Sequence, residues 1–403
     1  MSKILFSKKL GFVLAFLFCM MNANATNATL IKSFNINGAS LVVGNTNTEL
    51  VEMPGDCDLM AEDTQLNSDG VQYEKGKMKN LNADPANNLF NQNCAQICVF
   101  YVDEPEECEK NKPEIKLARL SWGGRIKAAD RNTTSDKHNQ VKFSIGGSAY
   151  QTVTAESESK QDMADGLDYG LYSCHADVTN IVSAYFSGND VSKYNTPINV
   201  CVANLQTELE RFGVEGLFSG WTLTLVYSHN LLPKRYIMVY DCDMFGPSNT
   251  NGANPDLIQA EFPFGSDIPA YSGKDSITFI YSGYSGFYGQ DADRLLRNPD
   301  LDITKGNFNK KATTNTITLE NGDVMNPFRS SIYYDYHNRP CNLSNTSLVC
   351  SSRGFDLHAI SRFPIDPNNP VIKTGASSFN VVFTPANEYH WLANAVVQIG
   401  SPD

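Results

Sequence analysis

"KPEIKLARLSWGGRIKAAD", residues 112–130, decides how this chain is read. Ala118, Leu120 and Trp122 alternate with Arg119 and Ser121, so they share one face of an extended segment and the indole caps an apolar row. Gly123 and Gly124 follow, where the strand is expected to end, the chain to turn or another backbone to approach closely. An exposed Trp122 would serve instead as a sugar-binding platform. The other tryptophans, Trp221 and Trp391, fall in the same phase on their own segments, so interior filling is the reading taken for all three.

The same period of two runs through most of the apolar chain. In "VKFSI" the face is Val141, Phe143 and Ile145; in "WTLTLVY" it is Trp221, Leu223, Leu225 and Tyr227, with Thr222 and Thr224 opposite. "SITFIY" gives Ile277, Phe279 and Tyr281, and "HWLANAVVQI" gives Trp391, Ala393, Ala395, Val397 and Ile399. These read as half-buried strands. Tyr236–Tyr240 is apolar throughout and suits a central strand covered on both sides. Helical spacing appears once, in "DVTNIVSAYF", where Val178, Ile181, Val182 and Tyr185 make a stripe behind Asp177 as N-cap. Asn-, Gly- and Pro-rich stretches such as "PSNTNGANPD" supply turns.

The chain begins with Lys3, Lys8 and Lys9, an apolar run Leu10–Met21, and Ala23-Asn24-Ala25. This is the order of a secretory leader, residues 1–25, and the run is shorter than the ~20 residues of a membrane span. The net charge of −12 includes three leader lysines, so the mature chain carries −15. So acidic a surface excludes nucleic acid and anionic membrane, which are held by Lys/Arg patches. Localisation is expected to be exported: cell surface, extracellular or periplasmic.

Nine cysteines remain when Cys19 leaves with the leader. In an exported protein they read as disulfides. Cys341 and Cys350 are expected to close a local loop. Cys57, Cys94, Cys98 and Cys108 form a cluster of undetermined connectivity, and Cys201 pairs with Cys174 or with Cys242. An odd number leaves one thiol over, for self-association with another chain. Zinc is set aside because Cys94-x3-Cys98 has no second pair to complete a site.

These readings give an all-β chain of two packed antiparallel β-sandwiches of jelly-roll type, 26–255 and 256–403, with a short connecting helix. Residues 50–112 are a disulfide-braced elaboration of the first. "FNINGASLVVGNT" (34–46), "KLARLSWGG" (116–124), "CHADVTNIV" (174–182), "GWTLTLVY" (220–227), "RYIMVYD" (235–241), "GFDLHAIS" (354–361) and "WLANAVVQIG" (391–400) occur in that order. Together they resemble the β-sandwich module of exported bacterial surface proteins and large adhesins, which often stands ahead of tandem repeat domains. The resemblance implies packed jelly-roll-like sandwiches and carries no catalytic residues; the cysteine-rich stretch 57–108 departs from it.

Catalytic motifs are thin. "GYSGF" (283–287) has Phe287 where G-x-S-x-G needs glycine, and Ser157-x-x-Lys160 sits in a polar run. His175 with Asp177, and His358 with Asp356, could pair as in a hydrolase, but hydrogen-bonding loop residues explain them better. Asp56-x-Asp58, Asp241-x-Asp243, Asp291-x-Asp293 and Asp300-x-Asp302 each set two carboxylates on one side if extended. Asp291, Asp293, Asp300 and Asp302 are the candidate calcium ligands, and no other cofactor is expected. "YSGYSGFYG" offers Tyr281, Tyr284, Phe287 and Tyr288 as a binding surface among small residues. The expected function is non-enzymatic: adhesion, or a structural part of an envelope or appendage, binding an extracellular protein or glycan through loops. The alternative is a carbohydrate-binding module or glycan-active hydrolase on a jelly roll, with tryptophans lining an open face.

Overall fold

A computed structural model describes residues 26–50, 78–99, 112–127, 137–162, 169–187, 196–207, 219–246, 258–264, 276–285, 293–295, 317–318, 324–325, 332–333, 355–364, 378–385 and 390–400. The strands before the helix are β1 (Thr26–Asn27), β2 (Thr29–Thr46), β3 (Thr48–Leu50), β4 (Met78–Asn80), β5 (Gln92–Ile97), β6 (Glu114–Lys127), β7 (Gln140–Ile145), β8 (Gln151–Thr154), β9 (Ser157–Asp162) and β10 (Tyr169–Asp177). After helix α1 (Thr179–Phe186) come β11 (Ile198–Ala203), β12 (Ser219–Ser228), β13 (Lys234–Gly246), β14 (Ile258–Pro263), β15 (Ser276–Ser285) and β16 (Asp293–Leu295). The rest are β17 (Ile317–Thr318), β18 (Val324–Met325), β19 (Ile332–Tyr333), β20 (Phe355–Pro364), β21 (Ser378–Pro385) and β22 (His390–Gly400). The chain is mostly β, as its alternation requires.

Ten strands form one sheet in the order β19-β20-β15-β22-β13-β2-β12-β6-β10-β9. β2 is its pivot. Residues 29–37 pair with β13 and residues 38–46 with β12, both antiparallel. At the change-over Gly38 donates its N–H to Pro233 O, while Asn37 O accepts from His229 N. The N–H and C=O of one peptide point to opposite edges of a strand, so β12 and β13 flank β2 on opposite sides although five residues join them. A side chain at Gly38 would meet Tyr227 O at 2.3 Å, so only glycine fits this crossing.

The sheet folds over about β2, and its two halves face each other. One apolar cluster takes Val42, Leu117, Leu171 and Val226 from β2, β6, β10 and β12, with Ile237, Val239, Ile280 and Val396 from β13, β15 and β22. Asn394 on β22 donates across to Thr222 on β12 at 2.5 Å. The opposite face of β6, β10 and β12 packs on a four-stranded antiparallel sheet, β5-β11-β7-β8. Trp122, Trp221, Leu120, Leu223 and Leu225 there meet Phe143, Ile145, Val200 and Val202. A further four-stranded sheet, β1-β14-β21-β16, reaches the β13–β22–β15 half through Phe262, whose ring lies edge-on to Tyr240 and Phe279.

Several expectations change. β6 does not end at Gly123-Gly124: Gly123 pairs with Gly220 and Ser173, and Gly124 with Ser219 and Tyr172. Pairing with β10 carries the strand on to Lys127, beyond the last β12 pair at Gly124. Thr222 and Thr224 were expected to face outward, yet both are buried, because the polar face of β12 lies against the other half of the sheet. The helix forms where its stripe predicts, with Val178 and Val182 buried, but its N-cap position is Val178 and not Asp177, which lies one residue earlier and accepts the N–H of Thr179 at Oδ1, 2.8 Å away.

The cysteine assignment is corrected. Cys201 bonds Cys94, its direct register partner on β5, and not Cys174 or Cys242. β10 and β13 belong to the ten-stranded sheet and β11 to the other, so neither alternative is a strand neighbour of Cys201. Cys174 and Cys242 are buried thiols, and Cys98 is in a disulfide. Cys57, Cys108, Cys341 and Cys350 lie outside the described residues, as does the leader.

Candidate functional site

Charged and hydroxyl side chains converge at one end of the seam between the folded halves. On β6 the residues Ala118, Leu120 and Trp122 face one core, which turns Arg119 and Ser121 to the other side. On β10 Cys174 and Ala176 do the same, which turns Ser173 and His175 toward the seam. His175 stands directly opposite Ser121. β13 contributes Asp241 and Asp243. The register with β22 shifts between Asp241 and Met244, and Asp243 takes a left-handed conformation at φ 44°. Glu156 comes from the turn between β8 and β9, and Ser157 is the first residue of β9.

Arg119 is the centre of this group. Its Nη2 contacts Asp241 Oδ2 at 2.6 Å, its Nε donates to Oδ1 at 3.3 Å, and its Nη1 bonds Glu156 Oε2 at 2.6 Å. Burial opposes its charge, but the bonds to Asp241 and then Glu156 outweigh that and hold its pKa above the ordinary value. His175, with no exposed surface, is held at both nitrogens. Nδ1 lies 2.9 Å from Ser121 Oγ and 3.4 Å from Asp241 Oδ1, and Nε2 lies 3.0 Å from Asp243 Oδ1 and 3.3 Å from Ser173 Oγ. A serine hydroxyl donates or accepts, so Ser121 suits either tautomer.

Ser121, His175 and Asp243 have the makeup of a nucleophile, a base and an orienting carboxylate. Their placement gives them a different task. Ser121 is 2% exposed, in mid-strand with β10 on one side and β12 on the other. A nucleophile must reach its substrate, and this hydroxyl is enclosed. What the group does is tie β6 and β10 to the end of β13. Ser157 Oγ faces Arg119 and Asp241, and the Lys160 ammonium contacts Glu158.

The sequence-level residues fall out unevenly. Asp241-x-Asp243 is in the site and His175 is too, but with these two acids and not with Asp177, whose Oδ1 accepts the N–H of Thr179. Arg119, Ser121 and Glu156 were not singled out. The sequence carries no signal for them, because an arginine between Ala118 and Leu120 is also the ordinary pattern of a strand whose polar face meets water. Tyr281, offered as a surface ring, is fully buried and stacked on Phe279 at 5.6 Å, because its phase puts it in a core row. Tyr284 and Asp293 lie on described backbone, but their side chains are outside the described residues, as are Phe287, Tyr288, Asp291, Asp300 and Asp302. On β20 the same holds for the side chains of Asp356 and His358. Trp122, Trp221 and Trp391 are all at most 2% exposed, so they line no open groove.

Comparison with known protein families, with curated proteins and with solved structures finds no match. Among the described residues no helix is long and apolar enough to cross a membrane, and no group of three or more His, Cys, Asp or Glu is placed to hold a metal.

Proposed function

We propose that this chain is an exported, non-enzymatic protein of a bacterial surface, two jelly-roll-type sandwiches packed together, that acts in adhesion or as part of an envelope or appendage. The observation that carries the reading is the Cys94–Cys201 bridge across register partners, with Cys98 also oxidised. Such bonds persist where thiols are oxidised, and the leader directs the chain there. Contacts are made by connections at the sandwich ends. Calcium at Asp291, Asp293, Asp300 and Asp302 braces one of these, and self-association draws on a cysteine other than the buried Cys174 and Cys242.

Fractionation of cells making the full chain tests this. The protein is expected in the envelope or the medium, with an amino terminus at Thr26 and the Cys94–Cys201 peptide pair oxidised by mass spectrometry. Retention in the cytoplasm with the leader intact and Cys94 reduced overturns it.

A further inference from the structure

The Cys94–Cys201 bridge lies outside the core that its strands help to build. On β11 Val200 and Val202 face that core, and on β5 Ala95 and Ile97 do. The period of two turns Cys94 and Cys201 to the outer face of the four-stranded sheet, where both are half-buried. The other cysteines among the described residues, Cys98, Cys174 and Cys242, are at most 6% exposed.

The backbone around the bridge is held by other bonds. Asn204 donates its N–H to Asn91 O at 3.0 Å, so by alternation Val202 and Val200 direct their peptide groups to β5. Cys201 directs its own to β7, as Asn199 does in accepting the N–H of Gly146 at 2.8 Å. Cys94 and Cys201 are therefore opposite each other with no backbone bond between them. The peptide groups of Cys94 turn to β2 instead. Asn45 Nδ2 donates to Cys94 O at 2.9 Å, and Cys94 N donates to Asn93 Oδ1 at 2.8 Å. Asn93 Nδ2 in turn donates to Thr46 O at 2.8 Å. Cutting the sulfur–sulfur bond removes no ladder bond and uncovers no core side chain.

We propose that Cys94–Cys201 is a site of reversible thiol–disulfide exchange whose co-reactant is a dithiol reductant. A thiolate of the reductant attacks one sulfur, and the electron pair of the broken S–S bond leaves on the other, which takes up a proton. The reductant's second thiol then displaces the protein sulfur from the mixed disulfide. Two cysteine thiols and one oxidised reductant result. A monothiol does not complete this sequence. The released cysteine stands directly opposite the mixed disulfide and closes the bridge again before a second monothiol arrives. A half-exposed bridge whose opening needs no unfolding belongs to the labile class, whereas a bridge enclosed in a core opens only with the fold.

The inference goes beyond the export reading and is tested on purified protein, so its failure leaves that reading standing. Oxidised mature chain is incubated at pH 8 with dithiothreitol or, at equal thiol concentration, with glutathione, then alkylated and peptide-mapped. With dithiothreitol, labelling of Cys94 and Cys201 together is expected tenfold or more faster than that of Cys174 and Cys242. The far-ultraviolet signal should stay unchanged, and the rate should not respond to urea below the unfolding transition. Glutathione should leave the pair oxidised. Labelling of all four cysteines at one rate, or of the pair only where urea unfolds the chain, overturns the proposal. Equal reduction by glutathione overturns it too, because the released thiol would then not re-close the bridge.

Discussion

Arg119 shows how differently two partners of one side chain count. Asp241 is 7% exposed on its side chain and Glu156 is 55% exposed. Replacing Asp241 by alanine leaves a buried guanidinium without its main counter-charge and is expected to cost about 3–5 kcal/mol, whereas Glu156→Ala should cost less than about 1 kcal/mol. Urea midpoints of the two variants check this contrast. Glu158 supplies a pH test. Partial burial would raise its pKa, but hydrogen bonds from Lys160 and His138 lower it below the ordinary value. The carboxylate therefore adds stability above the unfolded value of ~4.3 and loses it as pH falls through the folded one. Glu158→Gln should lower stability at pH 7 by less than about 1 kcal/mol and leave it unchanged near pH 2, read from paired urea titrations. At this scale the sequence showed the tryptophan phase plainly. It could not show which acid meets Arg119, because Asp241 is 122 positions away and only the folding-over of the sheet joins them.

Strands were legible as elements, and their partners were not. Alternation identified β6, β7, β12, β15 and β22, but a period of two states only that faces differ, not that the polar one meets water. β12 buries both. Disulfide pairing failed for the same reason: proximity in sequence suggested Cys174 with Cys201, while the sheet order set β5 beside β11. The bridge closes a span of 107 residues, and replacing Cys94 and Cys201 together by serine should cost about 2–5 kcal/mol in denaturant titrations. Cys242 makes the opposite case. Burial and then Asp243 and Asp241 raise its pKa well above the ordinary value, so its thiolate is scarce as well as enclosed. Peptide-mapped alkylation at pH 8 should miss Cys174 and Cys242 in the native protein and label both after unfolding in guanidinium. Labelling of either in the native state contradicts their packing.

Over the whole molecule the decisive choice is where the first long strand goes. Hydrophobic patterning divided the chain near residue 255 because apolar density falls there, yet residues 29–37 pair with β13, which itself pairs with β22 from the far end of the chain. Residues 38–46 join the sheet holding β12, β6 and β10. Both halves therefore depend on one strand, and cooperativity should extend over them together. Trp122 and Trp221 report on one core and Trp391 on the other, so fluorescence of single-tryptophan variants reads each separately. All such transitions in urea should coincide with loss of the far-ultraviolet β signal. Gly38→Val would set a side chain 2.3 Å from Tyr227 O and 2.8 Å from Ile36 Cδ1, which forces β2 away from β12 at its crossing. It should lower both tryptophan midpoints together, by the equivalent of about 2–4 kcal/mol. A shift at Trp221 with Trp391 unmoved would mean that the halves fold separately and that β2 does not couple them.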